Sequence, residues 1–466
     1  MFKRKKENET VVTAKTNKIA VGLDIGTTKV AACVGQRNKE GNIELLGYGD
    51  HTSLGVQRGQ VINIVQTVEA INHAIKQANN TSGVMIDTVV VGIAGQHINS
   101  FQMQGEIKRR DAESEVTKED VKMLIEDMFK LTVKPGIQII DAIPQEFFVD
   151  DYCDLKDPIG VLGTQLGSVF NIITGNSQHI KNIARCVQKC NLKMEGLVLE
   201  PIASSEVVLD PKEKESGVAL VDIGGGTTDI AVFYNGLLRH SAVIPIGADV
   251  ITDDIKTVFK GMIKENAEAI KLKYGSCIPD KSKPDHIISV PGIRGRPPIN
   301  IQQIELSEVI KARVDEIINR IMGEIKHSDY LKKLGCGMVI TGGGSLLNSL
   351  KEFTEYKTGM TVRIGNPEEK IIHTQDSKIN NPMYSTALGL MVMGIEKEEE
   401  DFEAQEETES KEVSKVKKEK KLKVPVKKKE PSSGTKYNTW EKVKSLVESL
   451  LEEDTDMHDD DDDFDN

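Results

Sequence analysis

Two stretches of this chain carry residues suited to chemistry. One is Val221-Asp222-Ile223-Gly224-Gly225-Gly226-Thr227-Thr228-Asp229-Ile230; the other is Gly22-Leu23-Asp24-Ile25-Gly26-Thr27-Thr28-Lys29-Val30. Each sets a carboxylate, then glycine, then paired threonines. Glycine lets a backbone come close to an anion, and successive N–H groups can turn inward to meet it. The threonine hydroxyls add donors. Asp222 and Asp229 would repel a bare phosphate, so the pattern implies a bridging divalent cation. Neither stretch has the Gly-Lys-Ser/Thr ending of a P-loop. An ordinary glycine-rich turn accounts for one such tip on its own, but a second copy in the same chain argues for a shared purpose.

The elements that must position these tips are short apolar runs. Residues 217–220 and 231–234 flank the second tip, and Asn235-Gly236 follows as a turn. Residues 19–22 and 30–34 flank the first, with 45–49 as a third strand of the same meander. This is a duplication on the scale of a domain rather than a solenoid repeat. Two related lobes, each offering a phosphate-gripping hairpin, are expected to face each other across a cleft. A third glycine loop, Thr341-Gly342-Gly343-Gly344-Ser345, follows a strand at 337–340 and is expected to open a helix at about Leu346. A helix N-terminus behind glycines suits a nucleotide phosphate or sugar edge.

Elsewhere, Val65, Val68, Ile71 and Ile75 recur at helical spacing, and 88–93 reads as a buried strand. From 101 the texture turns polar. Thr117 caps a helix, and strands are expected at 138–144, 147–150 and 169–174. Residues 179–196 read as a helix, and Leu199-Glu200-Pro201-Ile202-Ala203-Ser204-Ser205 leads into another. Helices are expected at 248–255, 266–275 and 306–325, a basic-tipped hairpin at 286–301, and a small-residue helix at 384–391. The organisation that follows has a flexible start at 1–16 and a first lobe core at 17–100 and 179–207. A subdomain is inserted at 101–178. The second lobe core takes 208–250 and 331–395, with a small subdomain at 251–330. A disordered linker at 396–436, an amphipathic helix at 437–452 and an acidic tail at 453–466 close the chain. Trp440, Val443, Leu446, Val447, Leu450 and Leu451 form the apolar face of that last helix.

The formal charge of −12 argues against a general nucleic-acid binder. The six cysteines are scattered in mostly apolar surroundings, which suggests reduced, buried thiols. No apolar run follows the basic start, so a signal peptide is not expected. No run of about 18 apolar residues occurs, so membrane contact would be peripheral.

Three glycine loops in this order, with 199–205 between the first two and 384–389 after the third, resemble the actin/Hsp70/sugar-kinase superfamily. Residues 22–30 and 221–230, Ser53-Leu54-Gly55-Val56-Gln57-Arg58-Gly59 and Gly92-Ile93-Ala94-Gly95-Gln96-His97-Ile98 resemble, more narrowly, the FtsA family of bacterial cell-division proteins. The resemblance spans residues 17–395. It implies an α/β, two-lobed actin-like fold with duplicated RNase H-like cores and a 1C-type subdomain inserted at 101–178. It implies ATP and Mg²⁺ in the cleft. The metal would rest on Asp24 and Asp222 through water. Gly26, Thr27, Thr28, Lys29, Gly224, Gly225, Gly226, Thr227 and Thr228 would hold the phosphates. Gly342, Gly343, Gly344 and Ser345 would meet the adenosine, with Glu268 and Lys271 flanking the base. Glu200 would orient water, with slow hydrolysis or none.

The resemblance further implies a protein that polymerises with itself on the cytoplasmic face of the membrane at the division site. It would tether the tail of the tubulin-like protein FtsZ on 251–330, near Arg294 and Arg296, and meet later division proteins. One feature departs from the family pattern. Lys442 and Lys444 are offset by Glu441 and Glu448, so attraction to an anionic membrane would have to come from the lysine-rich run 411–429. A partner-binding helix is the alternative for 437–452, and an ATP-dependent small-molecule kinase the alternative for the whole chain.

Overall fold

The computed structural model describes residues 19–109, 113–279, 286–292, 294, 296–367, 371–373 and 377–397. The expected flexible start, the terminal helix with Trp440 and the acidic tail lie outside the described residues, as does the linker beyond residue 397.

Two sheets share one strand order. In the first, Ile19–Ile25, Lys29–Arg37 and Ile43–Thr52 form an antiparallel meander. Thr88–Ile93 and then Lys193–Leu199 join beside Ile19–Ile25 in parallel, and Ile371–His373 adds the far edge. In the second, Val218–Ile223, Thr228–Tyr234 and Leu237–Ile244 form the meander, with Met338–Thr341 and Val362–Ile364 parallel beside Val218–Ile223. The central strands are buried along nearly their whole length, which is why they read as unbroken Val/Ile/Leu runs rather than alternating ones. Each tip is the turn between the first two strands of its meander.

The inserted domain has a four-stranded antiparallel sheet in the order Asn99–Lys108, Gln165–Asn176, Ile137–Val149, Tyr152–Leu155. The helix Lys118–Met128 closes its core, setting Val121, Leu124, Ile125 and Met128 against Phe147, Leu166, Phe170 and Ile172. Thr117 caps that helix in a capping box with Asp120. The two strands expected at 138–144 and 147–150 are one. Pro144 sits at a register slip opposite Phe170, and the neighbouring strand pairs only with Phe147 and Val149, so no ladder bond depends on the missing N–H from that side. Arg239 of the second lobe ties this domain down. Its Nη1 donates to Glu146 Oε2 at 2.8 Å, its Nη2 to Glu146 Oε1, and its Nε to the Tyr234 carbonyl at 3.1 Å.

The helix expected over 179–196 ends sooner. Ser177–Lys189 is helical, Asn191 takes a left-handed φ of 56°, and Lys193–Leu199 is a sheet strand. That strand runs into the helix Glu200–Val208, which crosses the helix at 385–397. The crossing is backbone on backbone: a Cβ on Gly389 would lie 1.9 Å from the Ala203 carbonyl oxygen. The last helix lies as close on the strand Ile19–Ile25, where a Cβ on Gly22 would lie 2.2 Å from the Ala387 carbonyl oxygen. All six cysteines are free. Cys33, Cys186 and Cys277 are buried, and burial pushes each of their thiols up to about 12.

Gly389→Ala is expected to prise the two connecting helices apart and destabilise the fold by about 1–3 kcal/mol. Gly323→Ala has open space on the helix Gln303–His327 and is expected to stabilise by up to about 1 kcal/mol. Urea unfolding of both variants is the measure. An unchanged midpoint for Gly389→Ala would show that the close crossing carries no weight.

Candidate functional site

The two tips are built alike. Gly26 N–H donates to the Lys29 carbonyl at 3.1 Å, and Gly224 N–H donates to the Thr227 carbonyl at 3.0 Å. They come from different lobes and meet directly. A Cβ on Gly225 would lie 1.9 Å from Thr28 Oγ1, and one on Gly226 would lie 2.5 Å from Thr27 Oγ1. Glycine is required at both positions by the opposite lobe rather than by the turn itself.

Asp24, Asp222 and Asp229 are buried behind the tips. Glu200, at the start of its helix, joins them and keeps partial exposure. Burial raises Asp24 to about 6, against the pull of Lys29. Burial and then Asp24 raise Asp222 to about 7. Burial and Asp222 raise Asp229 to about 8. Glu200 is held well above the usual range by burial and by all three aspartates. Few bonds relieve this. Asp229 Oδ2 accepts from Thr227 Oγ1 at 3.0 Å while its Oδ1 is buried with no partner. Asp222 Oδ2 accepts from Thr386 Oγ1 at 3.3 Å. The cluster is a site for positive charge. Among the described residues no three His, Cys, Asp or Glu side chains are arranged to ligate one metal ion directly.

Lys29 is the basic residue within this group, and its amine is engaged. Nζ donates to the Met383 carbonyl at 2.6 Å and stands 3.4 Å above the centre of the Tyr384 ring, and burial lowers its pKa. The lysine therefore ties the first tip to the segment entering the last helix.

The third loop differs from its expectation. Gly342 has φ 80°, and a Cβ there would lie 2.2 Å from Asp222 Oδ1, so this loop presses on the second tip's root. Residues Gly343–Leu346 form a 3-10 turn, and the α-helix begins only at Leu350. Ser345 Oγ donates to the Gly342 carbonyl at 2.7 Å, which closes the loop on itself. Gly343 is open to solvent, while Gly344 abuts Ile223.

Lys271 is buried, with Nζ 2.7 Å from Glu268 Oε2; it also donates to Thr252 Oγ1 at 2.9 Å and the Ala248 carbonyl at 3.2 Å. Thr252 Oγ1 donates to Glu268 in turn. Ala248 and Asp249 N–H groups donate to the Gly224 and Gly225 carbonyls, each at 2.9 Å. The pair thus braces the second tip from behind. Arg294 and Arg296 are exposed on the hairpin joining Ile287–Val290 and Ile299–Gln302. Sequence reading missed Thr386 and Thr252, whose hydroxyls reach the site only through folding. It placed Asp249 in an acidic helix start without seeing that this residue flanks Gly225.

The family profile described as "Cell division protein FtsA" matches residues 219–389, and the one described as "SHS2 domain inserted in FTSA" matches 95–174. The cell division protein FtsA of Pseudomonas aeruginosa is 35% identical over 390 residues, covering 84% of this chain and 92% of that relative. The chain belongs to the FtsA family of bacterial cell-division proteins. The FtsA of Neisseria meningitidis is 38% identical over 370 residues, covering 79% of this chain and 88% of that protein. The inserted sheet described above is the SHS2 domain of the FtsA family. A chain of the PilM–PilN type IV pilus biogenesis complex shares the fold, with TM-score 0.59 and 15% identity over 81% of this chain and 98% of that one.

The raised acids give a pH signature. Between about 4, the ordinary carboxylate value, and about 8, native Asp229 keeps a proton that the unfolded chain releases. Stability therefore falls as pH rises through that window. Asp229→Asn cannot lose a proton and keeps an oxygen for Thr227. It is expected to gain on the parent chain steadily from pH 4 to 8 in thermal unfolding of the metal-free and nucleotide-free protein. Parallel curves would show that Asp229 is not protonated in the fold.

Proposed function

We propose that this chain is an ATP-binding, actin-like adaptor that polymerises on the cytoplasmic face of the membrane and anchors FtsZ at the division site. The observation that carries the reading is the contact between two matched glycine tips backed by buried Asp24 and Asp222. The residues fit a magnesium nucleotide. Partly exposed glycine backbone at the tips and on the third loop can meet phosphate and adenosine. Buried carboxylates with raised pKa values call for a cation. Asp24 and Asp222 would hold Mg²⁺ through water. Gly26, Thr27, Thr28 and Lys29 would hold phosphate with residues 224–228, and residues 342–345 would hold the adenosine. When bound, Mg²⁺ would supply the counter-charge and the nucleotide a bridge between lobes.

Glu200 speaks to turnover. It would orient water in the cleft, and burial with the three aspartates raises its carboxyl above the ordinary range. The reading is of a nucleotide clamp that sets the subunit's shape, with slow hydrolysis or none. The shared strand order of the two sheets supports a pair of duplicated RNase H-like cores that such a clamp would lock.

Membrane attachment falls to residues 437–452. No helix among the described residues is long and apolar enough to cross a membrane. Trp440, Val443, Leu446, Val447, Leu450 and Leu451 would insert as one apolar face, and the lysines of 411–429 would add roughly 1 kcal/mol each near an anionic surface. One such helix binds reversibly; a filament multiplies it through effective concentration. The acidic tail of FtsZ would meet Arg294 and Arg296, and later division proteins would join the assembled filament.

Asp222→Ala is expected to abolish ATP binding in calorimetric titration, and undiminished affinity would remove the cleft from the mechanism. In liposome sedimentation with ATP, the full chain is expected to pellet, while Trp440→Glu and a chain ending before Pro431 stay in solution. Equal pelleting of all three would eliminate the anchor.

A further inference from the structure

Between the two tips lies a third element that the nucleotide reading has not used. The strands Val56–Gln57 and Gln60–Val61 pair as a minimal hairpin, turning through Arg58 and Gly59. Both turn residues have positive φ, 51° and 73°. A two-residue turn with both φ positive favours Asn-Gly, because a Cβ at the first position crowds the backbone. Arginine stands there nonetheless, and strain of this kind gathers where a side chain must be presented in one place.

The turn is locked in position by its neighbours. Gly59 N–H donates to Thr27 Oγ1 at 3.2 Å, which fastens it to the first tip. The Arg58 Cα lies 3.0 Å from where a Cβ on Gly226 would sit, which sets it against the second. Gly59 backs onto Ala94 and Gly95, each with an atom 3.0 Å from a built Cβ. Ile62 and Asn63 N–H groups donate to the Gly55 carbonyl at 2.8 and 3.0 Å. The Arg58 side chain is exposed, and among the described residues its guanidinium enters no ion pair.

Charge makes the placement informative. Asp24, Asp222, Asp229 and Glu200 crowd the space behind the tips, and the Lys29 amine is already held by the Met383 carbonyl and the Tyr384 ring. A nucleotide adds further negative charge. Arg58 is the basic group of the turn that touches both tips, the first through Gly59 and the second through its own Cα. The third loop rests on Asp222 and Ile223 at the root of the second tip, whereas Arg58 lies against Gly226 further along it. With an adenosine at the third loop, the phosphates would run along the second tip, where Arg58 lies against Gly226.

We propose that Arg58 grips the terminal phosphate of the bound nucleotide and sets the preference for a triphosphate over a diphosphate. The planar guanidinium matches two phosphate oxygens at once. The hairpin joins the two tips only when both are in place, so Arg58 reads the closed arrangement of the lobes together with the third phosphate. This rests on the nucleotide reading above and assigns the residue that makes it selective.

The test is calorimetric titration of the full chain with Mg–ATP and with Mg–ADP. Arg58→Ala is expected to weaken ATP binding by about tenfold or more and to leave ADP within about twofold. Arg58→Lys should retain part of the preference, since it keeps the charge without the fork. Arg58→Gly should lose the preference as fully as alanine, yet unfold no earlier than the parent, because glycine relaxes the positive φ. Parental ATP-to-ADP ratios in the alanine and glycine variants would overturn the assignment while leaving the cleft intact. Equal loss of both nucleotides with early unfolding would reduce Arg58 to a structural part. A parent chain that binds neither nucleotide would overturn the nucleotide reading and this assignment together.

Discussion

Asp24, Asp222, Asp229 and Glu200 share one poorly hydrated space, where burial raises the proton affinity of all four and neighbouring aspartates raise it further at Asp222, Asp229 and Glu200. Burying like charges is unfavourable, and the fold meets this in the unliganded state with protons and a few hydroxyl donors. Much of the surrounding architecture serves to keep those acids together. The tips cover them, the third loop presses on Asp222, and Thr386 and Thr227 each give one hydrogen bond. A binding site for a cation and a polyanion is a concentrated charge imbalance that the empty protein tolerates and the ligand corrects.

The remaining domains connect to this point by short chains of contact. The Glu268–Lys271 pair reaches the second tip through Thr252 and Ala248. Lys29 reaches the last helix through Met383 and Tyr384. That helix lies backbone to backbone on Glu200–Val208, which carries one of the four acids at its first residue. The inserted domain has its own core but is fastened to the second lobe by Arg239 and Glu146, with Ser100 Oγ donating to the Ser241 carbonyl at 2.9 Å. The cleft residues are therefore linked by short contact chains to the last helix and to the helix Asp249–Val258, while the inserted domain is held to the second lobe separately.

The parts of the fold that were legible are those written in local pattern. The buried strands announce themselves as Val/Ile/Leu runs, the tips as a repeated Asp-Ile-Gly followed by paired threonines, and the helix start at Thr117 as a cap. The errors share a cause. The helix expected over 179–196 overruns its true end, because residues 193–196 belong to a strand that exists only where Thr88–Ile93 pairs with it. Pro144 was read as a strand break because its tolerance depends on a neighbour that stops short. Gly275, the last residue of the helix expected at 266–275, lies just past its end with an ordinary φ of −67°, and a Cβ there would lie 2.3 Å from the Lys271 carbonyl oxygen.

What the sequence determined by itself was the chemical inventory: two hairpins able to hold phosphate, acids that demand a cation, a third glycine loop and the order in which they come. Residue type and near-neighbour spacing decide those, since they depend on backbone freedom and side-chain chemistry over a few residues. The tertiary structure alone decided that the tips touch, that Lys29 is tied to Tyr384, that Lys271 braces the second tip through Ala248 and Thr252, and that Arg58 stands between the lobes. These depend on which distant segments share a volume, and on how far water is excluded from it. Burial and Coulomb interaction are properties of that shared volume, so neither a pKa near 8 at Asp229 nor a glycine demanded by another lobe's threonine can be read along the chain.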